Sequence, residues 1–283
     1  MRAIVSFVLS AAAAGLLCDA ARAGEPDGAP PRRVVSANLC ADQLLLALGD
    51  PPSILALSSL ASDPTLSPVA EEARRFPAIR GSGEEIVRLS ADLALIGAHD
   101  TPFTRALLAE KGVPTHALAP WASLEEGTAQ IRSLAARLGQ PARGEALVAE
   151  IEAAAARAKG AAGRPASFLM LHRRGYAPGF HSVTSQIARI AGMVDIAPAL
   201  GLERGGFVSI EKVVAARPDF LFVADLDARA PDQGKALLTH PALSTLYPPA
   251  RRLVAPDPAT LCAGPATPAA IDALAAEIRA KVR

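Results

Sequence analysis

The chain has 283 residues, 29 Lys and Arg against 28 Asp and Glu, and a formal net charge of +1. That balance gives no electrostatic basis for binding nucleic acid. The length exceeds what one small core needs and suits two lobes of ordinary domain size. The chain opens with Arg2 and an apolar run over 4–17, the length of a secretory core and too short to cross a bilayer; no later apolar stretch is long enough either. Ala21 and Ala23 put small residues where a signal peptidase reads, so a signal peptide over 1–23 is expected. Leu17 precedes Cys18 where lipid attachment wants a small residue, which favours a soluble exported protein over an anchored one. Residues 24–31, with three prolines and two glycines, read as a flexible lead-in.

The elements then follow in order. Residues 33–36 are a short apolar run that predicts a strand. A helix is expected over 42–48, stopped by Gly49, and a strand over 54–58. A helix over 84–89 leads into a strand over 93–96, a helix over 104–111 ends at Gly112, and a strand spans 115–118. This alternation implies parallel sheets with crossover helices. Ser123 with Glu126 predicts a capping box, opening a helix whose apolar stripe is Ile131, Leu134, Ala135 and Leu138. Pro141 opens the next helix, which runs to about residue 159; at 1.5 Å per residue it is roughly 28 Å long. Beyond it come a strand over 167–171, helices over 185–191 and 210–216, strands over 220–223 and 253–255, and a last helix over 268–282. The fold class expected is α/β: two Rossmann-like lobes with parallel sheets, over 32–140 and 161–283, joined by one long rigid helix over 141–160.

An internal echo supports two copies of one unit. Glu84-Glu-Ile-Val-Arg-Leu-Ser-Ala-Asp-Leu-Ala-Leu-Ile96 is matched by Glu211-Lys-Val-Val-Ala-Ala-Arg-Pro-Asp-Phe-Leu-Phe-Val223. A weaker echo pairs Gln43-Leu-Leu-Leu-Ala-Leu-Gly49 with Gln186-Ile-Ala-Arg-Ile-Ala-Gly192. Both echoes occur in the same order in the two halves.

Taken together, residues 34–36 with 44–49, 84–96, 192–196, 209–223, His240-Pro-Ala-Leu243 and Cys262-Ala-Gly-Pro265 resemble the periplasmic binding proteins of ABC importers for ferric siderophores, haem and cobalamin. The resemblance covers about 33–280. Ala91 departs from it, standing where the family has Pro before the Asp. The resemblance implies a periplasmic, monomeric substrate-binding protein without cofactor, whose partners are a small-molecule metal chelate, held between the lobes, and an inner-membrane ABC permease. It also implies that Glu84 and Glu211, one per lobe, dock on permease arginines. A Glu at a helix start is equally favoured by the helix dipole alone.

Candidate ligand contacts come independently from a rule of open α/β sheets, that ligands bind beyond the carboxyl ends of strands. It picks Asn38, Leu39 and Cys40; Leu60 and Ser62; His99 and Asp100; Trp121; the run from His172 through Arg173, Arg174 and Gly175 to Tyr176; and Arg204. Arginines suit carboxylate or catecholate oxygens through bidentate pairing, or they form a solvated basic loop. Trp121 and Tyr176 offer faces for stacking. One Trp and two Tyr in the whole chain make an aromatic-rich cradle unexpected. These points favour an anionic, siderophore-like metal chelate, with cobalamin or haem as the alternative.

Cys40 and Cys262 are a possible disulfide if the fold brings them close; soft-metal ligation and two free thiols are the other readings. His99, His172 and His181 are placed to reach a cleft, which keeps a receptor for bare zinc or manganese open. No Gly-x-Ser-x-Gly, no phosphate-cradling Gly-x-x-x-x-Gly-Lys and no Cys-x-x-Cys occurs, so no enzyme activity is expected. A chelatase-like enzyme of related two-lobed form is the alternative from another class.

Overall fold

The computed structural model describes residues 29–283 apart from 99, 101, 225–236 and 256–258. The expected signal peptide over 1–23, Cys18, most of the lead-in over 24–31, and His99 lie outside the described residues.

The first half carries strands β1 (Val34–Ser36), β2 (Ile54–Ser58), β3 (Ala78–Ile79), β4 (Leu93–Gly97) and β5 (Thr115–Leu118). They form one sheet in the order β3-β2-β1-β4-β5, parallel throughout. Helices α1 (Leu39–Leu48), α2 (Ala70–Ala73), α3 (Gly83–Arg88) and α4 (Pro102–Glu110) make the crossovers, and α5 (Leu124–Arg137) and α6 (Pro141–Ala158) follow. The second half carries β6 (Ser167–Leu171), β7 (Tyr176–Ala177), α7 (Val183–Ile190), β8 (Val194–Asp195), β9 (Gly206–Phe207), α8 (Ile210–Ala216), β10 (Phe220–Ala224), α9 (Pro241–Leu246), β11 (Arg252–Ala255) and α10 (Thr267–Lys281). Its parallel sheet has the order β11-β10-β6-β8, and β7 pairs with β9 as a short antiparallel ribbon.

Without β3, the first sheet reads β2-β1-β4-β5 and the second reads β8-β6-β10-β11. The sequence echo is thus a repeat of topology. The aspartates shared by its two copies have one task in both lobes. Asp92, just before β4, accepts the backbone N–H groups of Arg32 (2.8 Å) and Arg33 (3.0 Å), which lead into the neighbouring β1. Asp219, just before β10, accepts the backbone N–H and the hydroxyl of Ser167 (both 2.8 Å), the first residue of the neighbouring β6. The turns entering β4 and β10 also match: Ser90 (φ 51°) and Arg217 (φ 46°) are repeat mates, both left-handed. Ala91 in place of proline therefore leaves the turn geometry intact.

The two sheets are bridged by α6, which packs against α5 on one side and α10 on the other. Leu147, Val148, Ile151, Ala154 and Ala158 are its buried stripe, and the core they belong to runs from Val34 and Leu93 of the first sheet to Phe168 and Phe222 of the second. Burial of that stripe at both ends makes α6 a strut fixed in each lobe rather than a free linker.

Local chemistry moves some boundaries. α1 begins at Leu39, three residues earlier than its apolar pattern suggests, because the Asn38 side chain accepts from Cys40 N–H (3.0 Å) and Ala41 N–H (3.2 Å). Ser123 accepts from Glu126 N–H as expected (3.1 Å), but the full reciprocal box forms at α3, where Ser82 accepts from Glu85 N–H and the Glu85 carboxylate accepts from Ser82 N–H (both 3.3 Å).

Candidate functional site

The carboxyl ends of the strands in both sheets open onto one cleft of about 400 Å³. The first lobe contributes Asn38 and Cys40 after β1, Gly97, Ala98 and Asp100 after β4, and residues 118–121 after β5. The second contributes Met170 and His172 at the end of β6, residues 181–184 entering α7, Ala255, and residues 260–263 before α10.

Two reciprocal crossings make the floor of this cleft. The segment between β5 and α5 reaches the second lobe: the Gln186 side-chain amide on α7 donates to the Trp121 carbonyl (2.8 Å), and His181 Nδ1 lies 3.3 Å from the Ala122 carbonyl, which can only accept. The matching segment between β11 and α10 reaches the first lobe. There Cys262 is disulfide-bonded to Cys40 at the start of α1 (Cα–Cα 5.2 Å), and Gly264 lies so close to Leu44 that an added Cβ would sit 3.5 Å from its side chain. The lobes are thus linked by α6, one hydrogen-bonded crossing and one covalent crossing. The disulfide removes both thiolates from metal chemistry, so the soft-ligand reading of Cys40 and Cys262 does not apply. Among the described residues no group of three His, Cys, Asp or Glu side chains is placed to hold a metal ion.

Of the residues chosen from sequence, Asn38, Cys40, Asp100, Trp121, His172 and His181 line the cleft together. Asn38 caps α1 with its oxygen, while its Nδ2 faces Gly97, where an added Cβ would sit 3.0 Å from it. Trp121 is 6 % exposed and stacks over Gly127 of α5; a Cβ there would be 2.0 Å from the indole. Glycine at 127 is therefore what seats the tryptophan.

The remaining choices sit elsewhere. Leu39 begins α1 and Leu60 is 49 % exposed in the turn after β2, neither lining the cleft. Ser62 borders a smaller hollow beside β2 and β3 and donates to the Ser59 carbonyl (3.2 Å). Arg173, Arg174, Tyr176 and Arg204 are also outside the cleft lining. The reason is a tight reversal after β6: His172 N–H donates to the Tyr176 carbonyl (2.7 Å), with Arg174 (φ 58°) and Gly175 (φ 77°) both left-handed. That turn sends Arg174 to solvent and starts the β7–β9 ribbon, on which Tyr176 meets Phe207 edge-on at 5.6 Å. Sequence reasoning missed Gln130, Met170 and residues 182–184 and 260–261. Met170 is the last residue but one of a predicted strand, just inside the strand-end rule; Gln130 lies within a helix, where no local signal marks it.

Behind the cleft floor, Asp42 on α1 is fully buried. It accepts from the Ser58 N–H (3.0 Å) and hydroxyl (2.5 Å) at the end of β2. Burial pushes its pKa up to about 6, against the opposing effect of its hydrogen bonds from Ser36 and Ser58. The second lobe repeats this contact with the roles exchanged: the Ser185 hydroxyl on α7 donates to Asp195 on β8 (2.5 Å). Glu84 and Glu211 are exposed second residues of α3 and α8, behind the capping serines Ser82 and Ser209. The backbone N–H at the start of α8, together with the Ser209 hydroxyl, holds the Glu211 carboxyl below its usual range, so it stays ionised.

The model of the family described as periplasmic binding protein matches residues 34–251. This chain belongs to the periplasmic binding protein family. It is thereby a substrate-binding component of the ABC-importer class. No curated protein shows a significant match to the sequence. Among solved structures, this periplasmic binding protein is similar to the periplasmic heme-binding protein RhuT from Roseiflexus sp. RS-1, with 28 % identity, a TM-score of 0.72, and coverage of 89 % of this chain and 99 % of that one. It is similar in fold to a periplasmic heme-binding protein from Pseudomonas aeruginosa (22 % identity, TM-score 0.72, coverage 89 % and 94 %). It is likewise similar in fold to the vitamin B12-binding protein BtuF of Vibrio cholerae (17 % identity, TM-score 0.68, coverage 89 % and 98 %). No helix among the described residues is long and apolar enough to cross a membrane.

Proposed function

We propose that this periplasmic binding protein works in the periplasm as a monomer, captures a metal chelate between its lobes without turning it over, and delivers it to an inner-membrane ABC permease that reads Glu84 and Glu211. The observation that carries this reading is the single cleft built from strand ends of both sheets, with Trp121 in its wall. A ligand there touches both lobes at once, so its binding is coupled to how the lobes sit. The chemistry of the solved relatives, heme and vitamin B12 binders, supports a metal chelate as cargo.

A specific observation favours the tetrapyrrole or corrin alternative over an anionic siderophore. Among the described lining residues Asp100 is the one acid, and Lys and Arg do not occur. The walls are otherwise uncharged and largely apolar, with Trp121, His172 and His181 and a few neutral polar groups such as Asn38, Gln130 and Thr184. Such a surface suits a broad, apolar chelate of low charge better than a catecholate needing bidentate arginines.

Titration of Trp121 emission with cyanocobalamin, haemin, a ferric hydroxamate and a ferric catecholate is the test. Saturable, one-to-one quenching by a metal chelate is expected, tightest for the macrocycles. Binding of none of the four would sink the chelate reading. Catalytic metal insertion or removal, in place of a stoichiometric complex, would move the protein to the chelatase-like class.

A further inference from the structure

Each carboxylate assigned to permease docking has an exposed phenylalanine beside it. Phe207 is 74 % exposed and Phe103 is 69 % exposed, above the other large apolar side chains at the described surface. Phe207 ends β9, and α8 with Glu211 follows after Val208 and the cap Ser209. Phe103 is in the first turn of α4, which lies against the first turn of α3: an added Cβ on Gly83 would be 3.7 Å from the Thr104 Cα, next to Glu84 on one side and Phe103 on the other. The two phenylalanines are not repeat mates. One comes from a ribbon and the other from a helix start, yet each lobe ends with the same pair, a ring and a carboxylate.

Both pairs face the same way. α3 and α8 run into β4 and β10 at the amino ends of those strands, so their own first turns lie at the carboxyl ends, where the cleft opens. Neither phenylalanine lines the cleft itself. A phenyl ring held in water gains from burial against a partner, and aromatic anchors inside a charged rim are a common build of protein interfaces.

We propose that Phe103 and Phe207 are apolar anchors of the permease-docking face, each seated beside the carboxylate of its own lobe. This rests on the reading that Glu84 and Glu211 meet an ABC permease. The partner surface it calls for has two basic residues, each next to an apolar recess. Because the pairs belong to different lobes, both recesses fill together only at one lobe separation, so the anchors add shape to what the charges read.

The test places the photo-crosslinking residue p-benzoylphenylalanine at 103, at 207, and at Val194, which is 54 % exposed at the start of β8 on the opposite end of its sheet. The full-length protein is expressed in its own bacterium and illuminated. Crosslinks from 103 and 207 to a multispanning importer subunit, absent from 194, are expected. In parallel, Phe103→Ser and Phe207→Ser proteins are assayed for stimulation of ATP hydrolysis in membranes holding that subunit, and for binding of cyanocobalamin and haemin. Each substitution should weaken apparent affinity for the permease about tenfold and leave chelate binding unchanged. Crosslinking that is missing at both positions, or equal at 194, overturns the proposal. Loss of chelate binding in the serine variants overturns it too, by making the rings ligand contacts, and leaves the proposed function standing. Failure of the unaltered protein to stimulate hydrolysis overturns the docking reading beneath it.

Discussion

Gln186 of the second lobe donates its side-chain amide to the backbone carbonyl of Trp121 in the first, while the indole of the same tryptophan lines the cleft. The lone tryptophan of the chain is therefore both a lobe contact and a wall of the site. Gly127→Ala should displace it, since the new methyl would overlap the ring. Overpacking of this kind costs about 1–3 kcal/mol. The variant is expected to melt lower, to show altered Trp121 emission before any ligand is added, and to bind chelate more weakly. Arg174→Ala, at an exposed turn outside the cleft, should leave chelate affinity within about twofold, since surface changes usually stay within ±0.5 kcal/mol.

Loss of the Cys40–Cys262 bond should be felt by the whole molecule. The bond closes a loop with a sequence separation of 222 residues, and links of this kind contribute about 2–5 kcal/mol. The Cys40→Ser, Cys262→Ser double variant is expected to show a lower urea midpoint than the oxidised parent, measured by far-ultraviolet circular dichroism. Equal midpoints would mean that the crossing is held by packing around Leu44 and Gly264 alone.

Asp42 predicts an unusual pH response. Its folded pKa, about 6, lies above the ordinary 3.8, so the folded state holds its proton more tightly than the unfolded chain does. The resulting stability is fully present below about pH 4 and is lost as the pH rises through about 6, a change on the order of 3 kcal/mol. Asp42→Asn should flatten this part of the curve. Denaturant titrations of both proteins between pH 4 and 7 measure it; parallel curves would remove Asp42 as the source.

Reversal of charge at Glu84 or Glu211 to Lys should separate binding from delivery. Both residues are exposed in the first turns of their helices, so folding should change by about 1 kcal/mol, whereas like charges at an interface cost several kcal/mol. Chelate affinity is expected to hold while uptake falls sharply. Uptake that survives both reversals would end the docking assignment.

The two-lobed fold was legible because it was written twice. The echo around Asp92 and Asp219 survives since the same backbone clamp is needed in each lobe. The strand-end rule found Asn38, Cys40, Asp100, Trp121 and His172 because those positions directly follow their strands, before the chain turns back. It placed Arg173, Arg174 and Tyr176 outside their actual surroundings because the turn at Arg174 and Gly175 depends on a left-handed residue other than glycine, and on pairing with β9 far along the chain. The short strands β3, β7, β8 and β9 carry too few residues for any periodicity to show. Gln186 looked like part of a weak echo; its bond to Trp121 is a contact between lobes, which no local pattern encodes.

The distance along the chain between Cys40 and Cys262 has a consequence for biogenesis. Cys40 is synthesised 222 residues ahead of its partner. Of the three cysteines in the sequence, Cys18 lies in the expected signal peptide, and removal of that segment would leave Cys262 as the partner for Cys40. The bond can close only once both lobes have been delivered and stand in register on α6. Oxidation then follows the meeting of the two lobes, and the sulfur bridge locks their register rather than guiding their assembly.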